Sequence, residues 1–120
     1  MPAHPLIGIW LPLKAELEGD PAPQLALQSM KVELTADTYC VWFGGEVADR
    51  GNYWLEENPP YPSLVLRGTE GPNLGRTISA IYQLVGDRLR ICYGLDGVRP
   101  EQFDTAGQKR RYVVTYRRQS

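Results

Sequence analysis

The sequence predicts an all-β protein, an eight-stranded antiparallel up-and-down barrel with one short helical segment. Three observations predict it. Alternating or dense β-forming segments recur along nearly the whole 120-residue chain. Short turn signals, above all Gly44-Gly45 and Gly86-Asp87, join neighbouring segments as hairpins. Helix-period patterning is almost absent, so the chain lacks the crossover elements that a parallel sheet needs.

The first strand covers residues 6–17, "LIGIWLPLKAEL", with Pro12 marking a bulge or a bend at an edge. Residues 21–29, "PAPQLALQS", form the helical piece; it starts with proline and carries Leu25 and Leu27 rather than a full apolar stripe. "MKVELTA" (30–36) and "TYCVWF" (38–43) come next, joined through Ala36-Asp37. Gly44-Gly45 then turns the chain into "EVADRGNYWLE" (46–56), where Gly51 marks a bulge or strong twist. "ENPPYP" (57–62) is a proline-rich connection. "SLVLRG" (63–68) and "TISAIYQLV" (77–85) flank a glycine-rich loop, and Gly86-Asp87 leads into "RLRICYG" (88–94). The irregular "LDGVRPEQFDTAGQK" (95–109) precedes the last strand, "RRYVVTYRR" (110–118). Eight strands can close into a barrel just wide enough for a side-chain core or one small ligand, and closure would pair the first strand with the last.

Alternation assigns the faces. Met30, Val32 and Leu34 point inward, as do Ile78, Ala80, Tyr82 and Leu84. Leu89, Ile91 and Tyr93 form another inner row, and Tyr112, Val114 and Tyr116 a fourth. The same register turns Trp42 and Trp54 outward, and a bulge would reverse it.

The loop "GPNLGRT" (71–77) invites comparison with a phosphate-binding loop. Gly71 and Gly75 are separated by three residues rather than four, and Arg76 stands where lysine belongs. The loop also opens a strand rather than a helix, so no helix dipole faces an anion. An exposed strand connection is expected, with Arg76 directed to solvent or a neighbouring carboxylate.

Composition narrows the function classes. Thirteen basic and 14 acidic residues give a formal charge of −1, so no overall field recruits nucleic acid or an acidic membrane. The chain reads as one domain, residues 1–120, long enough to bury a core. Without a basic start and long apolar run, a cytoplasmic location is the default expectation. Cys40 and Cys92 fall in predicted strands outside any metal-ligand spacing and read as two reduced thiols, with a disulfide as the minority alternative. His4 is the only histidine and lies in the terminal tail, which argues against histidine-based metal ligation or acid–base catalysis. No metal or other cofactor is expected.

Three segments carry a resemblance: the opening "GIW", the run "TEGPNLGRTISAIYQLVGDRLRICYG", and "RPEQF". The chain resembles a small uncharacterised lipocalin-like domain family found in many copies in planctomycete-type bacteria. Matched positions are Gly8 and Trp10, then Thr69, Glu70, Gly71, Pro72, Gly75 and Thr77. They continue with Ile81, Tyr82, Gly86, Asp87, Leu89, Ile91 and Cys92, and end with Arg99, Pro100 and Phe103. Arg76 replaces the family's usual lysine, and the diproline Pro59-Pro60 is a second departure. The resemblance spans almost the whole chain and implies a lipocalin-like barrel; it carries over no activity, ligand or catalytic residue. Lipocalins also place a tryptophan of the first strand beneath an arginine of the last, which implies that Trp10 pairs with Arg117 or Arg118, worth about 0.5–2 kcal/mol.

The leading functional expectation is a module that binds a small, mostly apolar ligand in the barrel mouth. Tyr82, Tyr93, Tyr112 and Tyr116 would line it, Arg90 or Arg99 would meet an anionic group, and Phe103 would act as a lid or plug. The competing possibility is that these side chains simply fill the interior; a cavity of roughly 300 Å³ separates the two readings. One alternative is a protein-interaction domain using Trp42 and Trp54. The other is a cofactor-free isomerase, cyclase or hydrolase drawing on Glu33, Glu70, Asp87, Glu101 or Asp104; a carboxylate buried beside a cavity would favour it.

Overall fold

A computed structural model describes residues 5–57, 61–103 and 111–119. His4, Pro59, Pro60, Asp104 and Arg110 therefore lie outside the described residues. The long strands are β1 (Gly8–Leu17), β3 (Met30–Leu34), β4 (Thr38–Phe43), β5 (Glu46–Glu56), β6 (Ser63–Glu70), β7 (Thr77–Val85), β8 (Arg88–Gly94) and β9 (Arg111–Arg118). A two-residue strand, β2 (Asp20–Pro21), is appended to the end of β1, and the helix α1 is confined to Gln24–Gln28.

Every strand pairs antiparallel with its neighbour, in the order β2-β1-β3-β4-β5-β6-β7-β8-β9. Pairing of β1 with β9, from Trp10 opposite Arg118 to Leu17 opposite Tyr112, closes the sheet. The eight-stranded antiparallel barrel expected from the sequence is thus the observed architecture, with β2 as a small addition.

Closure changes the meaning of Pro12. β1 is no edge strand, yet the irregularity falls at Pro12 as expected, with the register shifting between Pro12 and Lys14. Proline has no N–H to donate, and β1 pairs with β3 only through Gly8, Ile9 and Trp10. Beyond that point α1 packs against β1 and its Leu27 is buried, a single apolar anchor being enough for a five-residue helix. At Gly51 the register shift toward β6 also matches expectation. A Cβ there would lie 2.1 Å from the Arg67 carbonyl oxygen and 2.7 Å from the Tyr39 ring, so only glycine fits.

The inner face follows the alternation. Val32, Leu34, Ile78, Ala80, Leu89, Ile91, Val114 and Tyr116 are all buried in one core. One end is sealed by Leu6 and Trp10, both fully buried, with the indole Nε1 donating to the Leu6 carbonyl at 2.9 Å.

Three outward apolar side chains are buried as well: Val65, Ile81 and Cys92. Residues 95–103, after β8, account for this, because they fold back along the outside of the barrel. Arg99 anchors it, donating from Nε to the Ser63 hydroxyl at 2.6 Å and from a terminal nitrogen to the Tyr61 carbonyl at 2.7 Å. Pro100 is fully buried, and Phe103 meets the Tyr61 ring edge-on at 4.7 Å. The expected role of Phe103 as a lid or plug across the barrel end is therefore corrected; the remainder of the expected arch, residues 104–108, lies outside the described residues. The apolar trio outside the barrel draws the segment there, since leaving it in water would forfeit its hydrophobic burial.

Candidate functional site

The interior holds a cavity of about 250 Å³ at the end opposite Trp10. Its walls are the inward residues of the barrel, among them Val32, Leu34, Leu64, Leu66, Ile78 and Ile91. Tyr39, Tyr93, Tyr112 and Tyr116 add four aromatic faces. At the mouth stand Ala48, Asp49, Pro72, Asn73 and Leu95.

The volume falls short of the ~300 Å³ that the sequence reading required of a ligand site, so the expectation of a small-molecule pocket is not met at that size and a drug-sized ligand has no room. An apolar cavity of ~150 Å³ nevertheless accepts benzene, and the space here exceeds that. Larger depressions lie outside the barrel. One, of about 470 Å³, is bordered by Lys14, Arg88, Arg90 and Phe103; another, of about 340 Å³, lies among Cys40, Trp42 and Arg50. Both are lined mostly by outward residues and lack the predominantly apolar wall of the interior space.

The mouth is built by the glycine-rich loop. Gly71, Pro72 and Asn73 form a single 3-10 turn after β6. Gly71 has φ +81° and approaches β5 so closely that a Cβ would lie 3.0 Å from the Ala48 carbonyl and 3.2 Å from an Asp49 carboxylate oxygen. Asn73 then donates from Nδ2 to Asp49 Oδ2 at 2.7 Å, and the Tyr39 hydroxyl approaches the same oxygen at 3.5 Å. The backbone N–H of Arg50 donates to Oδ1 at 3.0 Å. The loop thus positions an acid; it does not cradle a phosphate. Arg76 is exposed as expected, but donates to Asn73 Oδ1 and the Leu95 carbonyl rather than to a carboxylate.

Deeper in, the Tyr93 and Tyr116 hydroxyls are hydrogen-bonded at 2.9 Å, and Tyr93 stacks on Tyr112 at 5.8 Å. Burial, more than any neighbouring charge, pushes all of these phenols up. Tyr39 rises to about 12, with Asp49 adding to the effect, and Tyr93, Tyr112 and Tyr116 also rise. They remain neutral hydroxyl groups at physiological pH.

The structure thus divides the residues expected to bind a ligand. Tyr93, Tyr112 and Tyr116 line the cavity. Tyr82 packs against the inner core but sits toward the other end, where its backbone N–H reaches the Pro62 carbonyl, and it does not line the space. Arg90, Arg99 and Phe103 are corrected: all three belong to the outer face. Arg90 donates to Gln83 Oε1 at 2.7 Å and lies 4.2 Å over the Phe103 ring. Its neighbours Leu89 and Ile91 point inward, so alternation already excludes Arg90 from the interior. Among the described residues no cation lines the cavity, and the expected anionic contact has no counterpart there.

Asp49 was missed by the sequence reading, although the pattern carried it. Leu55, Tyr53, Gly51 and Asp49 occupy alternate positions of β5, and Asp49 pairs with the inward Val41. A bulge at Ala48 then restores Val47 to the outer face opposite Trp42. Among the other candidate acids, Glu33 faces the outer groove, Glu70 pairs with Arg50 at 3.3 Å, Asp87 lies 3.8 Å from Arg118, and Glu101 is exposed.

Trp42 and Trp54 both point outward, as the alternation requires, but they are not equivalent. Trp54 is 44% exposed; Trp42 is half-buried with Lys31 Nζ 5.1 Å over its ring. Trp42 pairs opposite Val47, seven positions from Trp54 along β5, or roughly 23 Å at strand rise. They do not merge into one aromatic patch. Cys40 and Cys92 are free thiols. No helix of the described residues is long and apolar enough to cross a membrane. Comparison with protein-family models, with curated proteins and with solved structures finds no match to this chain.

Proposed function

We propose that the barrel is a binding module for a compact, mostly apolar molecule, about the size of one substituted ring or a short chain. The observation that carries this reading is the mostly apolar interior cavity of about 250 Å³, open to solvent at the end where Ala48, Asp49, Pro72 and Asn73 stand. Apolar walls supply affinity, while a few fixed polar groups at one end supply orientation. The Trp10–Arg118 pair at the closed end supports the lipocalin-like resemblance, and with it a binding role.

Catalysis is less well supported. Asp49 is half-buried rather than buried, and its oxygens are engaged by three donors. The neighbouring phenols are held in the neutral form, which makes them poor proton-transfer groups near pH 7. A partner surface built on the two tryptophans is weakened by their separation.

The test uses indole as a neutral probe of suitable size. Saturating indole raises the thermal midpoint of the full chain, because a ligand that binds only the folded state stabilises it. Val41→Phe, which fills the cavity from its wall, abolishes the shift while the protein stays folded. Absence of any shift in the unaltered chain, or persistence of the shift in Val41→Phe, removes the proposal.

A further inference from the structure

We infer that the cavity selects molecules carrying a cationic amine on a small aromatic or aliphatic body. This rests on the binding reading above and names the ligand class for the same site. The juxtaposition behind it is Asp49 with the four tyrosines.

Among the described residues, Asp49 is the single charged side chain in the cavity wall. It is half-buried, and among the described residues it forms no ion pair; the salt bridges there are Arg50–Glu70, Arg111–Asp96 and Arg118–Asp87. A carboxylate withdrawn from water without a counter-ion is unfavourable unless something compensates it. Three neutral donors do so in part: Asn73 Nδ2, the Arg50 N–H and the Tyr39 hydroxyl. An ionised carboxylate has about four acceptor positions, so one remains for a ligand donor.

The donors also fix where the acid points. Gly71 lets the loop approach, Asn73 grips Oδ2, and the carboxylate is held at the rim. Behind it, Tyr39, Tyr93, Tyr112 and Tyr116 line the wall, and an aromatic ring met on its face attracts cations and repels anions. Both features have the same sign preference. An anionic ligand meets a like charge at the entrance and, among the described residues, no cation inside. A neutral ligand gains the apolar contacts alone. An amine gains those contacts together with a charge-assisted hydrogen bond to Asp49.

Calorimetric titration of the full chain at pH 7 with three probes of one shape tests this: 2-phenylethylamine, 2-phenylethanol and phenylacetate. The expected order is amine, then alcohol, then acid, with the amine favoured by about ten- to a hundred-fold over the alcohol, the range for a hydrogen bond to a charged group. Asp49→Asn keeps the side-chain shape; it should bring the amine to within about threefold of the alcohol and leave the alcohol unchanged. Equal binding of amine and alcohol by the unaltered chain overturns the inference but leaves the cavity reading standing. An amine preference that survives Asp49→Asn also overturns it. Binding of none of the three overturns both. Because the probe series on the unaltered chain is decisive alone, a poorly folding Asp49→Asn does not remove the test.

Discussion

The Arg118 guanidinium lies 4.3 Å over the Trp10 ring and donates to the carbonyls of Ile7 at 2.8 Å and Pro5 at 2.6 Å. Trp10 and Arg118 are direct cross-strand partners in the pairing that closes the barrel. One side chain thus caps the buried indole and ties down the segment that carries Leu6. Gly8 belongs to the same arrangement, since a Cβ there would come within 2.8 Å of an Arg118 nitrogen.

Arg118→Ala should therefore destabilise the fold by about 2–3 kcal/mol, combining the lost cation–π contact with hydrogen bonds made by a charged donor. Arg118→Lys should lie between the two, because a single ammonium cannot reproduce the planar fork. Urea unfolding followed by tryptophan fluorescence measures both; an unchanged midpoint for Arg118→Ala would contradict the closing role.

Gly51→Ala should be among the most damaging substitutions that add one carbon. The new methyl meets the Arg67 carbonyl oxygen, which belongs to the sheet backbone and has little freedom to retreat. The expected cost is about 2 kcal/mol or more, read from thermal or urea unfolding. Gly44 and Gly45 have nothing within 4 Å of a Cβ, so any penalty there comes from their positive φ alone.

Stability should be flat near neutrality and fall in alkali. Tyr39 and Tyr53 rise from 10.0 to about 12, chiefly through burial, so the folded state holds its phenolic protons more tightly than the unfolded chain. Above pH 10 the unfolded chain loses those protons first, and stability drops with each further step up to about pH 12. Below the unfolded value the contribution is complete. Urea midpoints measured from about pH 7 to about pH 11.5 check this; a midpoint that stays level across the upper range would refute it.

Arg76→Ala should change neither nucleotide affinity nor stability appreciably. Arg76 is exposed and, among the described residues, its side chain bonds Asn73 and the Leu95 carbonyl, so a change within about 0.5 kcal/mol is expected. Detectable ATP or GTP binding abolished by this substitution would reverse the reading of the loop.

Arg99→Ala should loosen the outer connection and uncover Cys92. Labelling with a thiol reagent should mark Cys40 first in the unaltered chain, since Cys92 is fully buried. In Arg99→Ala the rate at Cys92 should rise, because exchange of a buried group follows the local opening it needs. An unaltered Cys92 rate would mean that Pro100 and Phe103 hold the connection without the arginine.

Period-two alternation was enough to place most of this molecule. Val32, Leu34, Ile78, Ala80, Leu89, Ile91 and Val114 face inward because a pleated strand sends alternate side chains to opposite faces, a local property readable from the chain. Tight glycine turns made the antiparallel order equally legible; the resemblance brought Trp10 to Arg117 or Arg118, and the closing register decided for Arg118. The candidate site was legible only in part. Tyr93, Tyr112 and Tyr116 followed from alternation, and so would Asp49 have done, but nothing local says which inward residues reach one end of a barrel. That depends on strand stagger and on the bulge at Ala48, both properties of the closed sheet. The path of residues 98–103 was likewise decided by tertiary structure. Val65, Ile81 and Cys92 come from three strands and form an apolar surface only once β6, β7 and β8 are side by side. Alternation states which way each side chain points, and the assembled barrel decides what it meets there.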